Sequence, residues 1–156
     1  MLQGHTSLVG QLQMRGNTLV TGGSDGSVRV WSLEKMACVH RLAAHDNSVT
    51  SLQFDETRIV SGGSDGRVKV WDLRTGTLVR ELSSPAEAVW RVAFEDEKAV
   101  ILAMRATRTI MEVCAGSGLL VVLVLTRLAG VFLLPASRSA QRVLSHAGIR
   151  SIERRI

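Results

Sequence analysis

Residues 5–33, HTSLVGQLQMRGNTLVTGGSDGSVRVWSL, align without a gap on residues 45–73, HDNSVTSLQFDETRIVSGGSDGRVKVWDL, at an offset of forty. Such a repeat constrains a fold more than composition does. Each copy must be one supersecondary unit that buries its apolar face against its neighbours. Four positions keep their chemistry in both copies: His5 and His45, Thr21 and Ser61, Asp25 and Asp65, Trp31 and Trp71. Their spacings, 16, 4 and 6 residues, are identical.

Each copy reads as four short strands. Val9, Leu12 and Met14 mark the first strand of copy one, and Val49, Leu52 and Phe54 that of copy two. Leu19-Val20 and Ile59-Val60 mark the second strands. Val28-Arg29-Val30 and Val68-Lys69-Val70 alternate with a period of two, as a half-buried strand requires. Ser-Asp-Gly between second and third strands is a tight-turn signal, because Gly accepts positive φ and Asp bonds nearby backbone. Residues 38–42 and 78–82 supply the fourth strands. Four strands in about forty residues is the pattern of a propeller blade.

A third, degraded unit follows. VWRVAF (89–94) stands forty residues after VTSLQF (49–54), and KAVILA (98–103) fits a second strand. RTIMEV (108–113) fits a third strand if three extra residues enter the preceding turn. Pro85 then stands at the histidine offset, Ala103 near the hydroxyl and Cys114 where the tryptophan is due.

The GH…SDG…VRVW and AH…SDG…VKVWD patterns resemble WD40 repeats, and the order of the three units is similar to the last blades of F-box/WD-repeat proteins of the Cdc4 type. Those are substrate receptors of SCF-type (cullin-RING) ubiquitin ligases. The resemblance covers about residues 3–113. It implies an all-β fold: an incomplete β-propeller of about 2.7 four-stranded antiparallel blades, with boundaries near 4–43, 44–83 and 84–113. Residues 114–156 are expected to be an unrelated apolar and basic tail, disordered or helical and outside the functional sequence. Met1–His5 reads as the end of a preceding blade, so the chain is expected to open within a repeat and, standing alone with fewer than three blades, to self-associate or aggregate.

A histidine, a hydroxyl residue and an aspartate recurring together raise the question of a hydrolase triad. Two identical triads in tandem repeats do not suit an enzyme, and no GxSxG elbow exposes a serine. In WD40 repeats the matching residues form a buried hydrogen-bonded chain. The resemblance therefore makes His5-Thr21-Asp25-Trp31 and His45-Ser61-Asp65-Trp71 structural tetrads, with no catalytic residue. It also places the partner-binding face at the loops entering the first strand and the turns leaving the second, here Leu8, Gly10 and Ser24, then Ser48, Thr50 and Ser64, then Ala88 and Trp90. Receptors of the Cdc4 type grip phosphorylated peptides with arginines at such positions, as bidentate pairing requires. None of the eight is arginine, so phosphate capture is expected only from blades absent here.

Charge supports no nucleic-acid partner. Residues 1–113 hold thirteen Lys/Arg and thirteen Asp/Glu, so the net charge of +5 belongs wholly to the tail, with six Arg against Glu153. Cys38 and Cys114 form no CxxC or CxxH pattern, which points to no metal site and no disulfide scaffold. No cofactor is expected, and no leader is visible at the start. Residues 119–134, LLVVLVLTRLAGVFLL, are too short for an ordinary membrane span and contain Arg127. The expected protein is a non-catalytic interaction module of the cytoplasm or nucleus that binds protein partners, phosphorylated ubiquitylation substrates among them. The alternatives are a generic WD40 scaffold and a peripheral protein anchored through 119–134.

Overall fold

A computed structural model describes residues 2–82, 86–95, 98–115, 118–125, 127–128 and 131–132. These form three four-stranded antiparallel sheets and one small hairpin. The first sheet comprises β1 (Val9–Arg15), β2 (Thr18–Gly23), β3 (Ser27–Ser32) and β4 (Ala37–Ala43); the second, β5 (Val49–Phe54), β6 (Arg58–Gly63), β7 (Val68–Asp72) and β8 (Leu78–Glu81). The third comprises β9 (Ala88–Glu95), β10 (Lys98–Arg105), β11 (Arg108–Ala115) and β12 (Gly118–Leu125). The hairpin is β13 (Arg127–Leu128) and β14 (Val131–Phe132). Every sheet is a meander with strands in sequence order, and the described residues contain no helix.

The alternation in each copy sends one set of side chains to each face, and neighbouring sheets bury those faces on one another. Val20, Val28, Val30 and Leu42 of the first sheet pack on Val49, Phe54, Ile59 and Trp71 of the second. Val60, Val68 and Val70 of the second pack on Val89, Val92, Ala99, Ile101 and Ile110 of the third. Burying each of these side chains contributes about 1.5–3 kcal/mol. The hydrophobic core therefore lies between sheets, so each sheet depends on its neighbours.

Polar side chains fix the stagger. The Gln13 amide accepts from the Phe54 N–H at 2.7 Å and donates to the Phe54 carbonyl at 3.4 Å. Gln53 repeats this on Phe94, at 2.8 Å in each direction. Ser51 Oγ accepts from the Val92 N–H at 2.9 Å. The innermost strands β1, β5 and β9 thus stand side by side, as successive blades do round a propeller axis. Closed propellers have about 4–8 blades, so the three described sheets make up an incomplete one.

The third unit differs from the sequence reading in three respects. It has a full set of four strands: β11 runs on to Ala115, and Gly118–Leu125 pairs with it antiparallel. The strand pairing of the third unit thus runs past residue 113. A continuous apolar run has no period to separate strand from helix, and only its pairing with β11 decides. Secondly, the three extra residues lengthen the β10–β11 hairpin by three rungs, down to a two-residue turn at Ala106-Thr107. Thirdly, Ile101 lies opposite Val92 and Glu112, as Ser61 lies opposite Leu52 and Lys69, so Ile101 and not Ala103 takes the hydroxyl position. Pro85 lies outside the described residues. No helix among the described residues is long and apolar enough to cross a membrane.

Candidate functional site

The two tetrads close into continuous hydrogen-bonded chains. Trp31 Nε1 donates to Thr21 Oγ1 at 2.8 Å, and Thr21 Oγ1 lies 2.8 Å from His5 Nε2. The indole can only donate, so the hydroxyl accepts from it and passes its own proton to Nε2. That places the imidazole proton on Nδ1, which faces Asp25 at 3.1 Å. In the second sheet the distances are 3.0 Å from Trp71 to Ser61, 2.9 Å from Ser61 to His45, and 3.0 Å from His45 to Asp65.

Each aspartate also ties the loop before its sheet's first strand to the turn before the third strand. Asp25 accepts from the backbone N–H groups of Thr6 and Ser27, and Asp65 from those of Asp46 and Arg67. Burial pushes the Asp25 carboxyl up, but hydrogen bonds from the Ser27 hydroxyl, the two backbone groups and His5 outweigh it and hold it well below the usual carboxylate range. Asp65 is likewise lowered: burial opposes, and the Arg67 N–H, the His45 ring and the Asp46 N–H prevail. Burial keeps the His45 imidazole below its ordinary value despite the neighbouring Asp65. A neutral imidazole is the form the proton assignment needs. Glycine precedes each turn because a Cβ at Gly23 or Gly63 would stand 2.5 Å from both the aspartate oxygen and the histidine nitrogen.

No atom of these chains is presented as a nucleophile. Each hydroxyl is shared between an indole and an imidazole, and Ser61 is fully buried. The third sheet replaces the chain with packing: Cys114 lies opposite Ala99, the register of Trp31 on Leu19 and Trp71 on Ile59, and it is buried with Ile101 between the second and third sheets. Burial pushes the Cys114 thiol up, which keeps it protonated and unreactive. Among the described residues no group of three or more His, Cys, Asp or Glu could hold a metal.

The eight residues of the expected binding face fall into two groups. Ser24 N–H donates to the Leu8 carbonyl at 2.8 Å, and Ser64 N–H to that of Ser48 at 3.0 Å, so loop and turn join at one end of each sheet. Thr50 is engaged between sheets, its hydroxyl reaching the Val89 and Gly62 carbonyls. Ala88 is half-buried and pairs with Met104. Leu8, Gly10, Ser24 and Trp90 are exposed, and Trp90 leaves 45% of its surface to solvent.

Three features escaped the sequence reading. Gln13 and Gln53 clamp the next sheet, and their recurrence at the repeat offset between apolar neighbours was the available signal. Arg29 donates to the Gly4 carbonyl and Lys69 to that of Ala44, whereas Glu112 stands in their register, buried and ion-paired with Arg105 at 2.9 Å. That exchange of charge and the long β10–β11 hairpin distinguish the third sheet.

A model of the family "WD domain, G-beta repeat" matches residues 1–32 and 36–72. The chain carries WD40 repeats. A stretch of 45 residues is 51% identical to the F-box/WD repeat-containing protein sel-10 of Caenorhabditis elegans, covering 29% of this chain and 8% of that protein. A stretch of 44 residues is 43% identical to the WD repeat-containing protein pop2 of Schizosaccharomyces pombe, covering 28% of this chain and 6% of that protein. The matched segments thus span only a small part of these relatives. Among solved structures, the computationally designed Ika4 protein superposes with a TM-score of 0.65 at 33% identity, over 72% of this chain and 69% of that one. The β-propeller domain of Cps50 (Swd1) from Myceliophteria thermophila shares the fold, with a TM-score of 0.63 at 22% identity over 78% of this chain and 40% of that one. WD40 propellers are in general protein-interaction scaffolds, and the sealed tetrads are what a scaffold uses them for.

Proposed function

We propose that this chain is a non-catalytic interaction module of the cytoplasm or nucleus, related to the substrate-binding WD40 domain of an SCF-type ubiquitin-ligase receptor. The observation that carries the reading is the 51% identity to an F-box/WD repeat protein over 45 residues. The sealed tetrads support the absence of catalysis, because every polar group that resembles a triad is consumed in holding a sheet together. The exposed indole of Trp90, at the end where loop and turn meet, is the side chain best suited to anchor a protein partner, since it offers a large stiff surface at little entropic cost.

Expression of the chain in cells tests this. A receptor fragment that occupies substrates without delivering them to a ligase slows the turnover of those substrates in a translation-block chase. Trp90→Ala removes the effect while leaving the melting temperature unchanged. Unaltered turnover across the proteome, or equal activity of the Trp90 variant, counts against the reading and favours a WD40 scaffold unconnected with ubiquitin.

A further inference from the structure

The turns that leave the second strands are held differently. In the first two sheets an aspartate pins the turn to the loop before the first strand. In the third sheet β10 and β11 stay paired out to Arg105 opposite Arg108, and the tip beyond them is Ala106-Thr107, exposed and at positive φ. Like charges directly opposite one another weaken a strand pair. A β-branched residue at positive φ is strained as well, so this tip opens at little cost. Arg105 is engaged with the buried Glu112, whereas Arg108 is exposed and enters none of the ion pairs among the described residues. The Thr107 hydroxyl donates only to the Ala106 carbonyl beside it, at 2.6 Å. Three other exposed threonines, Thr6, Thr57 and Thr75, rest their hydroxyls on the carboxylates of Asp25, Asp55 and Asp72, at 3.4, 3.0 and 2.9 Å. A phosphate on any of those stands against a like charge, but on Thr107 it is flanked by arginines.

We propose that Thr107 is a phosphorylation site for an arginine-directed protein kinase, with Arg105 and Arg108 on either side of the acceptor as its recognition elements. An acidic peptide groove selects such a segment by charge complementarity. The Thr107 hydroxyl oxygen attacks the γ-phosphorus of a nucleoside triphosphate and the bond to the β–γ bridging oxygen breaks. The diphosphate leaves, and the hydroxyl proton passes to the kinase's catalytic base. Thr109 has the same chemistry but a different setting: it is paired with Met104 on one side and Leu125 on the other, inside the sheet. The site itself does not rest on the ubiquitin reading, since it uses only the hairpin of the third sheet. Its place does bear on that reading, because a dianion there offsets the two arginines at the end of the sheet proposed to receive partners.

The experiment incubates the folded full chain with magnesium ATP and the catalytic domain of an arginine-directed kinase. Cleavage after glutamate releases Lys98–Glu112, in which Thr107 and Thr109 are the only hydroxyl residues, and fragmentation in the mass spectrometer tells them apart. Thr107 should be labelled at least about tenfold faster than Thr109, which reacts only when β11 leaves the sheet. Arg108→Gln, which breaks no ion pair among the described residues, should slow the labelling of Thr107 about threefold or more at an unchanged melting temperature. Absence of phosphate from Thr107 overturns the proposal, and so does labelling of Thr109 at an equal rate. Equal labelling of Thr75, which also follows an arginine, overturns it too, since the neighbouring carboxylate would then make no difference. An unchanged rate in Arg108→Gln overturns the assignment to an arginine-directed kinase.

Discussion

At the scale of single residues, stability rests on polar groups that have one satisfactory partner arrangement. Ser61→Ala removes the acceptor of the Trp71 indole and the donor to His45 together, leaving two buried groups unmatched. We expect a loss of about 2–4 kcal/mol in urea unfolding, with Ser61→Thr, the residue of the first sheet, losing far less. The titrating members give a pH dependence whose sign follows from their directions. His45 in the fold holds its proton less readily than the ordinary value of 6.5, so its contribution is complete above that value and is lost as pH falls below it. Asp25 and Asp65 are lowered from 3.8, so theirs is complete above 3.8 and is lost as pH falls through the still lower folded values. Melting temperature should therefore fall in two stages on acidification from pH 7.5. His45→Gln, less stable throughout, should show a smaller first stage. These tetrads were legible in the sequence because identical spacing in tandem copies leaves little else for them to be. The third sheet's substitute was not, because packing of Ile101 and Cys114 leaves no polar signature.

At the scale of elements, the turns separate the regular sheets from the altered one. Gly76, at φ 69°, closes the β7–β8 turn, and Met36 holds the same position before β4 at φ 50°. An L side chain in that region is strained, and Met36 is exposed, so Met36→Gly should stabilise by about 0.5–1 kcal/mol in thermal unfolding. The β10–β11 turn holds both Ala106 and Thr107 at positive φ, 49° and 60°. That is the geometry for which Asn-Gly is the favoured pair. Replacing Ala106-Thr107 by Asn-Gly should raise stability by about 1 kcal/mol or more, measured by the same melt. The sequence read this segment as a longer loop because neither residue carries a turn signal. Backbone pairing from Ala103–Ile110 to Arg105–Arg108 overrides local preference there.

At the scale of the whole molecule, stability should follow nearest-neighbour logic, since the cores lie between sheets. The second sheet alone has both faces covered by described sheets. Amide hydrogen exchange should therefore be slowest in β6 and β7, and faster in β1 and in the exposed β8. Phe54→Ala, at the first interface, should cost about 3–5 kcal/mol and accelerate exchange in the first sheet more than in the third. Equal acceleration everywhere would show a single cooperative unit instead.

The sequence by itself determined the repeat, its four strands, the two polar chains and the all-β class, because each is written in spacing that only one local geometry satisfies. Tertiary structure alone decided three things. Pairing with β11 made Gly118–Leu125 a fourth strand where an apolar run had no period. Register moved the hydroxyl position to Ile101 and turned three surplus residues into hairpin. Neighbouring sheets decided burial: Val9 and Val49 are the same residue type in the same repeat position, and one is wet while the other is covered. Burial belongs to what stands opposite a face, and that is not written in the strand that bears it.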